Sequence, residues 1–166
     1  LSLLIDLHSC LFFIGILNKF VPKIFNIRCI SRHMFSFFTA NEANNALPDV
    51  IKKFEYALAK KNEVAKLEKQ LQMSMSTTNS FEEYVALKQN LNSAITKFYE
   101  SVEILENTGV LVKSIEQGLL DFPSKRFDEE VCLCWKYGET DIKFWHEKDS
   151  GFMGRKPIEV SDDSLV

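Results

Sequence analysis

The spacing of apolar residues changes near Gly109, and this change constrains the fold more than any other feature of the chain. Before Gly109, apolar residues recur every three or four positions, as on one face of an α-helix. After it, apolar and polar residues alternate over short runs, as in half-buried β-strands. The order of helices followed by strands predicts an α+β domain, in which a long antiparallel helical hairpin packs on a small antiparallel β-meander.

Two helices are predicted before Gly109. Thr39 and Glu42 have the spacing of a capping box, and Pro48 predicts a kink or a restart soon after the first helix begins. Ser80 is a favourable N-cap for the second helix, and Gly109 suits the left-handed position that ends it. The two apolar stripes either pair within the chain, as an αα-hairpin, or pair with another chain as a coiled coil.

Four strands are predicted after Gly109, at 110–112, 118–123, 130–136 and 141–146. Pro123 is expected to close the second strand, and a tight turn at 137–140 is expected to join the last two. The predicted register places three pairs on the face towards the helices: Trp135 with Ile142, Leu133 with Phe144, and Val131 with His146. Cys132, Cys134, Lys143 and Trp145 would then lie on the other face, and a slip of one residue would move Trp145 inside and His146 outside.

A dense motif in the predicted sheet resembles a known family. It contains both tryptophans and reads Leu133-Cys134-Trp135, Gly138-Glu139, Trp145-His146-Glu147 and Gly151-Phe152 with Gly154-Arg155 and Pro157. With the segments 34–39, 42–48 and 118–123, this motif resembles a small family of unknown function found in bacteria and archaea. The resemblance implies a domain over residues 34–158, and it implies no activity, cofactor or catalytic residue.

Charge and cysteine content limit the class of protein. The chain has a net charge of −3, and because residues 1–33 carry a positive excess, the rest of the chain is more acidic than the total. Such a surface disfavours a nucleic acid partner. The four cysteines contain no Cys-x-x-Cys pair, so a zinc site of that kind is not expected, and reduced thiols indicate a cytoplasmic protein.

The two ends of the chain are expected to lie outside the domain. Residues 1–33 are apolar at first and basic later, and three alternatives remain open for them: translation from upstream of Met34, a weak membrane segment, or a packed accessory helix. A membrane partner is expected only if residues 1–33 belong to the natural protein. Residues 159–166 are acidic without apolar spacing, which predicts a disordered tail.

The motif also supplies the candidate functional residues. The sequence is most consistent with a non-enzymatic binding or assembly module. Its partner would be another protein or a second copy bound through the helical stripe, or a small anionic ligand bound by Arg155. Arg155 has a structural alternative, which is an ion pair with Glu139 or Asp121. The candidate ligand-binding residues are Asp121, Trp135, Glu139, Trp145, His146, Asp149 and Arg155.

An enzyme is a less favoured hypothesis. Asp121, Glu139 and His146 are weak candidates for metal ligands, and Cys134 with His146 would be a nucleophile and its base. The predicted register places Cys134 and His146 on opposite faces, and His146 is expected to be a buried neutral imidazole. No cofactor is predicted.

Overall fold

A computed structural model describes residues 37–75 and 80–158, and the fold is the predicted helical hairpin with an antiparallel meander. The helices are α1 (Ala40–Met75) and α2 (Phe81–Glu106). The strands are β1 (Leu111–Ser114), β2 (Leu119–Arg126), β3 (Glu129–Lys136), β4 (Phe144–Glu147) and β5 (Lys156–Pro157), hydrogen-bonded in the order β1-β2-β3-β4-β5. The expectations for residues 1–33 and 159–166 fall outside the described residues.

Local capping signals set the ends of the helices as predicted. The Thr39 hydroxyl accepts a hydrogen bond from the Glu42 backbone N–H at 3.1 Å, and the Glu42 carboxylate accepts one from the Thr39 N–H at 2.9 Å. Ser80 caps α2 by accepting from the Glu83 N–H, and Gly109 follows its end with φ of 92°.

The predicted restart at Pro48 is not observed, because α1 is a single helix on both sides of this residue. Leu47 and Val50 flank Pro48 and are both buried in the core. Tertiary packing therefore holds the helix together at a position where one backbone hydrogen bond is lost.

The second strand also continues past its proline. Pro123 lies opposite Cys132 in the β2–β3 ladder, and β2 ends only at Arg126. The pairing of β1 with β2 starts at Leu111 and Asp121, so Pro123 lies where β2 has no β1 neighbour and a missing N–H is tolerated. Its carbonyl oxygen accepts a hydrogen bond from the Phe38 N–H at 2.8 Å.

The predicted register between β3 and β4 is wrong by one residue. Leu133 lies opposite Trp145 and not Phe144, Cys134 lies opposite Phe144, and Cys132 lies opposite His146. Trp145 therefore joins the helix-facing side of the sheet, and His146 lies on the opposite side, which we call the outer face.

A contact from α1 explains the register. The Ile142 N–H donates to the Asn44 side-chain oxygen at 2.8 Å, and the Asn44 amide lies 3.4 Å from the Ile142 carbonyl oxygen. Ile142 is thus held by the helix and buried in the core instead of pairing with Trp135. The connection from β3 to β4 is consequently longer than the tight turn that the sequence predicted.

The hydrophobic core lies between the first half of α1, the second half of α2 and the helix-facing side of the sheet. Phe54 contacts Trp135 edge to face, with ring centroids 5.8 Å apart, and Phe38 contacts Phe122 in the same way at 5.4 Å.

Over the described residues, neither helix combines the length and the apolar character that a membrane crossing requires.

Candidate functional site

Three adjacent strands bring Asp121, Cys134 and His146 together on the outer face of the sheet. Asp121 in β2 lies directly opposite Cys134 in β3, and His146 in β4 lies opposite Cys132, two residues before Cys134. One ligand atom from each of Asp121, Cys134 and His146 lies within 4.8 Å of the other two, and all three residues are at most 2% exposed. We call these three residues the outer-face triad.

The hydrogen bonds of His146 fix the orientation of its ring. Nδ1 lies 2.7 Å from the Glu147 carbonyl oxygen, which can only accept, so Nδ1 carries a proton and donates it in this contact. Nε2 points the other way and lies 3.3 Å from Asp121 Oδ1. The second oxygen of Asp121, Oδ2, is buried and has no hydrogen-bond donor among the described residues, although the Lys113 ammonium lies 3.5 Å away.

Arg155 contacts Cys134 of the triad and pairs with Glu139. Its Nη1 and Nη2 donate to the two carboxylate oxygens of Glu139 at 2.7 and 3.1 Å, and its Nε lies 3.2 Å from Cys134 Sγ. The guanidinium also lies over the rings of Phe144 and Phe152, at 5.1 and 4.3 Å from their centroids. Burial opposes the charged form, but the bonds to Glu139 and Cys134 outweigh it and raise the pKa of Arg155.

The two cysteines of β3 are free, buried thiols. Burial raises the pKa of Cys132 and of Cys134 to about 11, and the nearby Asp121 carboxylate adds to the increase for both. Thiols of this kind hold little thiolate at neutral pH, so they are poor nucleophiles.

The other candidate residues lie in different surroundings. Trp135 and Trp145 belong to the core, and the Trp135 indole N–H donates to the Glu139 carbonyl oxygen at 2.9 Å. Arg126 and Lys156 lie over the Trp145 ring, at 4.4 and 5.0 Å from its centroid. Asp149 is exposed in the turn after β4.

A family model matches residues 36–158, and its description is an uncharacterised conserved protein. The chain belongs to the DUF2203 family. Membership in DUF2203 confirms the resemblance at the level of an uncharacterised conserved family, and the described residues, 37–75 and 80–158, fall within the matched range. No curated protein and no solved structure matches the chain.

For this member of DUF2203, the structure brings together part of the candidate set. Asp121 and His146 meet in the triad, while Glu139 binds Arg155 instead, which is the structural alternative stated for that arginine. The predicted register turns Cys134 away from His146, whereas the observed register places both on the outer face. Sequence spacing does not reveal this grouping, because it depends on the pairing of three strands.

Proposed function

We propose that this chain is a cytoplasmic, non-enzymatic assembly module of a prokaryotic family, and that it associates with a second copy of itself through the distal hairpin. We define the distal hairpin as residues 58–75 of α1 and 81–93 of α2. The observation that carries the proposal concerns burial along the two helices. The apolar stripe of both helices continues into the distal hairpin, but none of its described apolar side chains is fully buried there.

Apolar residues keep the three- and four-residue spacing in the distal hairpin, after an interruption at 60–62 of α1. In α2, one series runs through Tyr84, Leu87 and Leu91 to Ala94 in steps of three and four, and in α1 a second runs through Val64, Leu67 and Leu71. Ala57 and Ala94 are buried, but every described apolar side chain between them along the chain is at least partly exposed. Two helices shield only one side of such a seam, and a four-helix arrangement shields it fully.

Charge supports a second copy as the partner. Residues 60–69 of α1 contain four lysines and two glutamates, whereas residues 81–93 of α2 contain two glutamates and one lysine. In a two-fold dimer, α1 of one hairpin can therefore lie against α2 of the other with complementary charge.

An enzymatic role has less support. The Cys134 thiol is 1% exposed, and its pKa of about 11 leaves it mostly protonated at neutral pH. Arg155, the predicted anion ligand, is already bound to Glu139. The buried thiols of Cys132 and Cys134 are consistent with the proposed cytoplasmic location.

The test is the molar mass of the full chain as a function of concentration, by sedimentation equilibrium. We expect a monomer–dimer equilibrium that Leu87→Gln shifts towards the monomer, because Leu87 belongs to the half-buried seam. Ile104→Gln is the matched control, since Ile104 is a 46% exposed aliphatic residue of the same helix outside the distal hairpin. Circular dichroism must show equal helix content for both variants. A wild-type chain that stays monomeric into the millimolar range, or a dimer that Leu87→Gln leaves unchanged, would refute the proposal.

A further inference from the structure

The outer-face triad has the composition and the separations of a metal site. We propose that Asp121, Cys134 and His146 bind a divalent transition-metal cation of the zinc type. The proposal is independent of dimerisation through the distal hairpin, which involves other residues.

The separations within the triad suit one small ion. Two ligand atoms that each lie about 2.1 Å from a tetrahedral zinc ion lie about 3.4 Å from each other. The distance between His146 Nε2 and Asp121 Oδ1 is 3.3 Å, and Cys134 Sγ is within 4.8 Å of the ligand atoms of both. The N and O donors therefore already have the required spacing, and Cys134 needs only a small side-chain movement.

The contact between His146 and Asp121 leaves a position that a cation would occupy. The Nδ1 proton of His146 is donated to the Glu147 carbonyl, so in the neutral ring Nε2 presents a lone pair to the Asp121 carboxylate. At 3.3 Å, Nε2 and Oδ1 need a positive centre between them, which is a proton in an Asp–His ion pair and would be the metal ion in the bound state. Asp121 Oδ2 is buried and receives no hydrogen bond from the described residues within the usual geometry, although the Lys113 ammonium lies 3.5 Å away.

His146 is oriented as metal-binding histidines usually are. A ligating imidazole typically donates its other N–H to a carbonyl or carboxylate, which fixes the tautomer and directs the free nitrogen at the ion. The Glu147 carbonyl has this role here. Arg155 Nε, 3.2 Å from Cys134 Sγ, supplies the hydrogen bond that stabilises a thiolate ligand.

The charges of the bound state balance. The ion replaces the thiol proton of Cys134, which leaves to solvent, and bonds form from the metal to the sulfur, to Nε2 and to the carboxylate oxygen. Two anionic ligands then neutralise the divalent ion, and Arg155 remains neutralised by Glu139. The change involves no oxidation or reduction.

The donor set selects the class of metal. Thiolate and imidazole ligands favour zinc and similar transition metals over magnesium and calcium, which prefer oxygen ligands. The three ligands are nearly inaccessible to solvent. A tetrahedral ion held by three protein ligands keeps a fourth position, which a water molecule would take.

The experiment uses the full chain, stripped with a chelator and titrated with Co²⁺ and then Zn²⁺. We expect a thiolate-to-cobalt charge-transfer band, visible bands typical of four-coordinate Co²⁺, and their loss when zinc displaces the cobalt. Cys134→Ser should abolish the charge-transfer band and weaken cobalt binding by more than about 100-fold. That loss exceeds the one that follows when only a hydrogen-bond partner of a metal ligand is removed. Cys132→Ser is the matched control, because Cys132 is a buried thiol on the same face of β3 that does not belong to the triad.

Asp121→Asn distinguishes a metal site from a structural contact between Asp121 and His146. The side-chain amide that this substitution introduces can donate to His146 Nε2, so the metal-free variant should melt no lower than metal-free wild type, while the rise in Tm that zinc causes in the wild type disappears. A folded wild type that gives no cobalt charge-transfer band, or bands that Cys132→Ser and Cys134→Ser reduce equally, would overturn the proposal. Strong destabilisation of metal-free Asp121→Asn would also overturn it, because a structural Asp–His pair would then account for the triad.

Discussion

Asn44 controls the register of the sheet from a distant helix, and replacing it by alanine tests that role directly. Asn44 is 98 residues from Ile142 in the chain, and the Ile142 N–H donates to the Asn44 side-chain oxygen at 2.8 Å. Ile142 is 3% exposed, so water cannot readily replace the lost acceptor.

The magnitude follows from this bond and from helix propensity. Leaving a buried donor unsatisfied costs about 1–3 kcal/mol. The second contact, at 3.4 Å, is long and contributes little. Alanine is a better helix former than asparagine by roughly 0.5 kcal/mol, which offsets part of the loss. We therefore expect Asn44→Ala to lower the free energy of unfolding by about 1–2.5 kcal/mol, or a Tm decrease of several degrees.

The matched control is Asn45→Ala, because Asn45 is the adjacent helical residue and is exposed. Both variants gain helix propensity equally, so the difference between their free energies of unfolding in urea isolates the lost hydrogen bond. Hydrogen exchange monitored by NMR reports on the Ile142 amide itself. That amide should be protected in wild type and in Asn45→Ala, and should exchange faster in Asn44→Ala. Equal stability of the two variants, or an unchanged exchange rate, would refute the explanation of the register.

Three further predictions concern the outer face and the turn beside it. With a pKa of about 11, the Cys132 and Cys134 thiols of the metal-free protein should react with a disulfide reagent at pH 8 only as fast as the protein unfolds; rapid reaction under native conditions would contradict this. The Lys156 ammonium lowers the pKa of Glu147 from 4.5 to about 2. The ionised Glu147 therefore stabilises the fold fully above pH 4.5, and this contribution is lost as the pH falls towards 2. The difference in unfolding free energy between wild type and Glu147→Gln, from urea titrations, should shrink over that interval. A Cβ on Gly154 would lie 2.4 Å from Ser150 Cβ, so Gly154→Ala should lower the Tm and the added change Ser150→Gly should restore much of it; equal melting of the single and double variants would count against this contact.

The strand register shows where prediction from sequence reaches its limit. Alternation identified β3 and the region of β4, but alternation alone cannot count the residues in the connection between them. The helix contact from Asn44 lengthens that connection and shifts β4 by one residue. This shift places Trp145 in the core and moves His146 to the side of Cys134, so the length of the connection decides the composition of the candidate site.

Pro48 and Pro123 show a similar limit. Pro48 predicted a kink or a restart and Pro123 predicted the end of a strand, and in each case the element continues through the proline. The first lies between two buried core residues, and the second lies where β2 has no β1 neighbour. Packing and strand pairing therefore outweigh a local preference of a few kcal/mol.

The sequence by itself determined the features that depend on neighbours a few residues away: the capping box at Thr39, the helix end near Gly109, the two amphipathic stripes and the change from helix to strand. The tertiary structure alone decided the strand register, the pairing of Arg155 with Glu139, and the meeting of Asp121, Cys134 and His146. The physical reason is that capping and periodicity act within a few residues along the chain, whereas these contacts join residues 10 to 98 positions apart and form only when the helices and the sheet pack together.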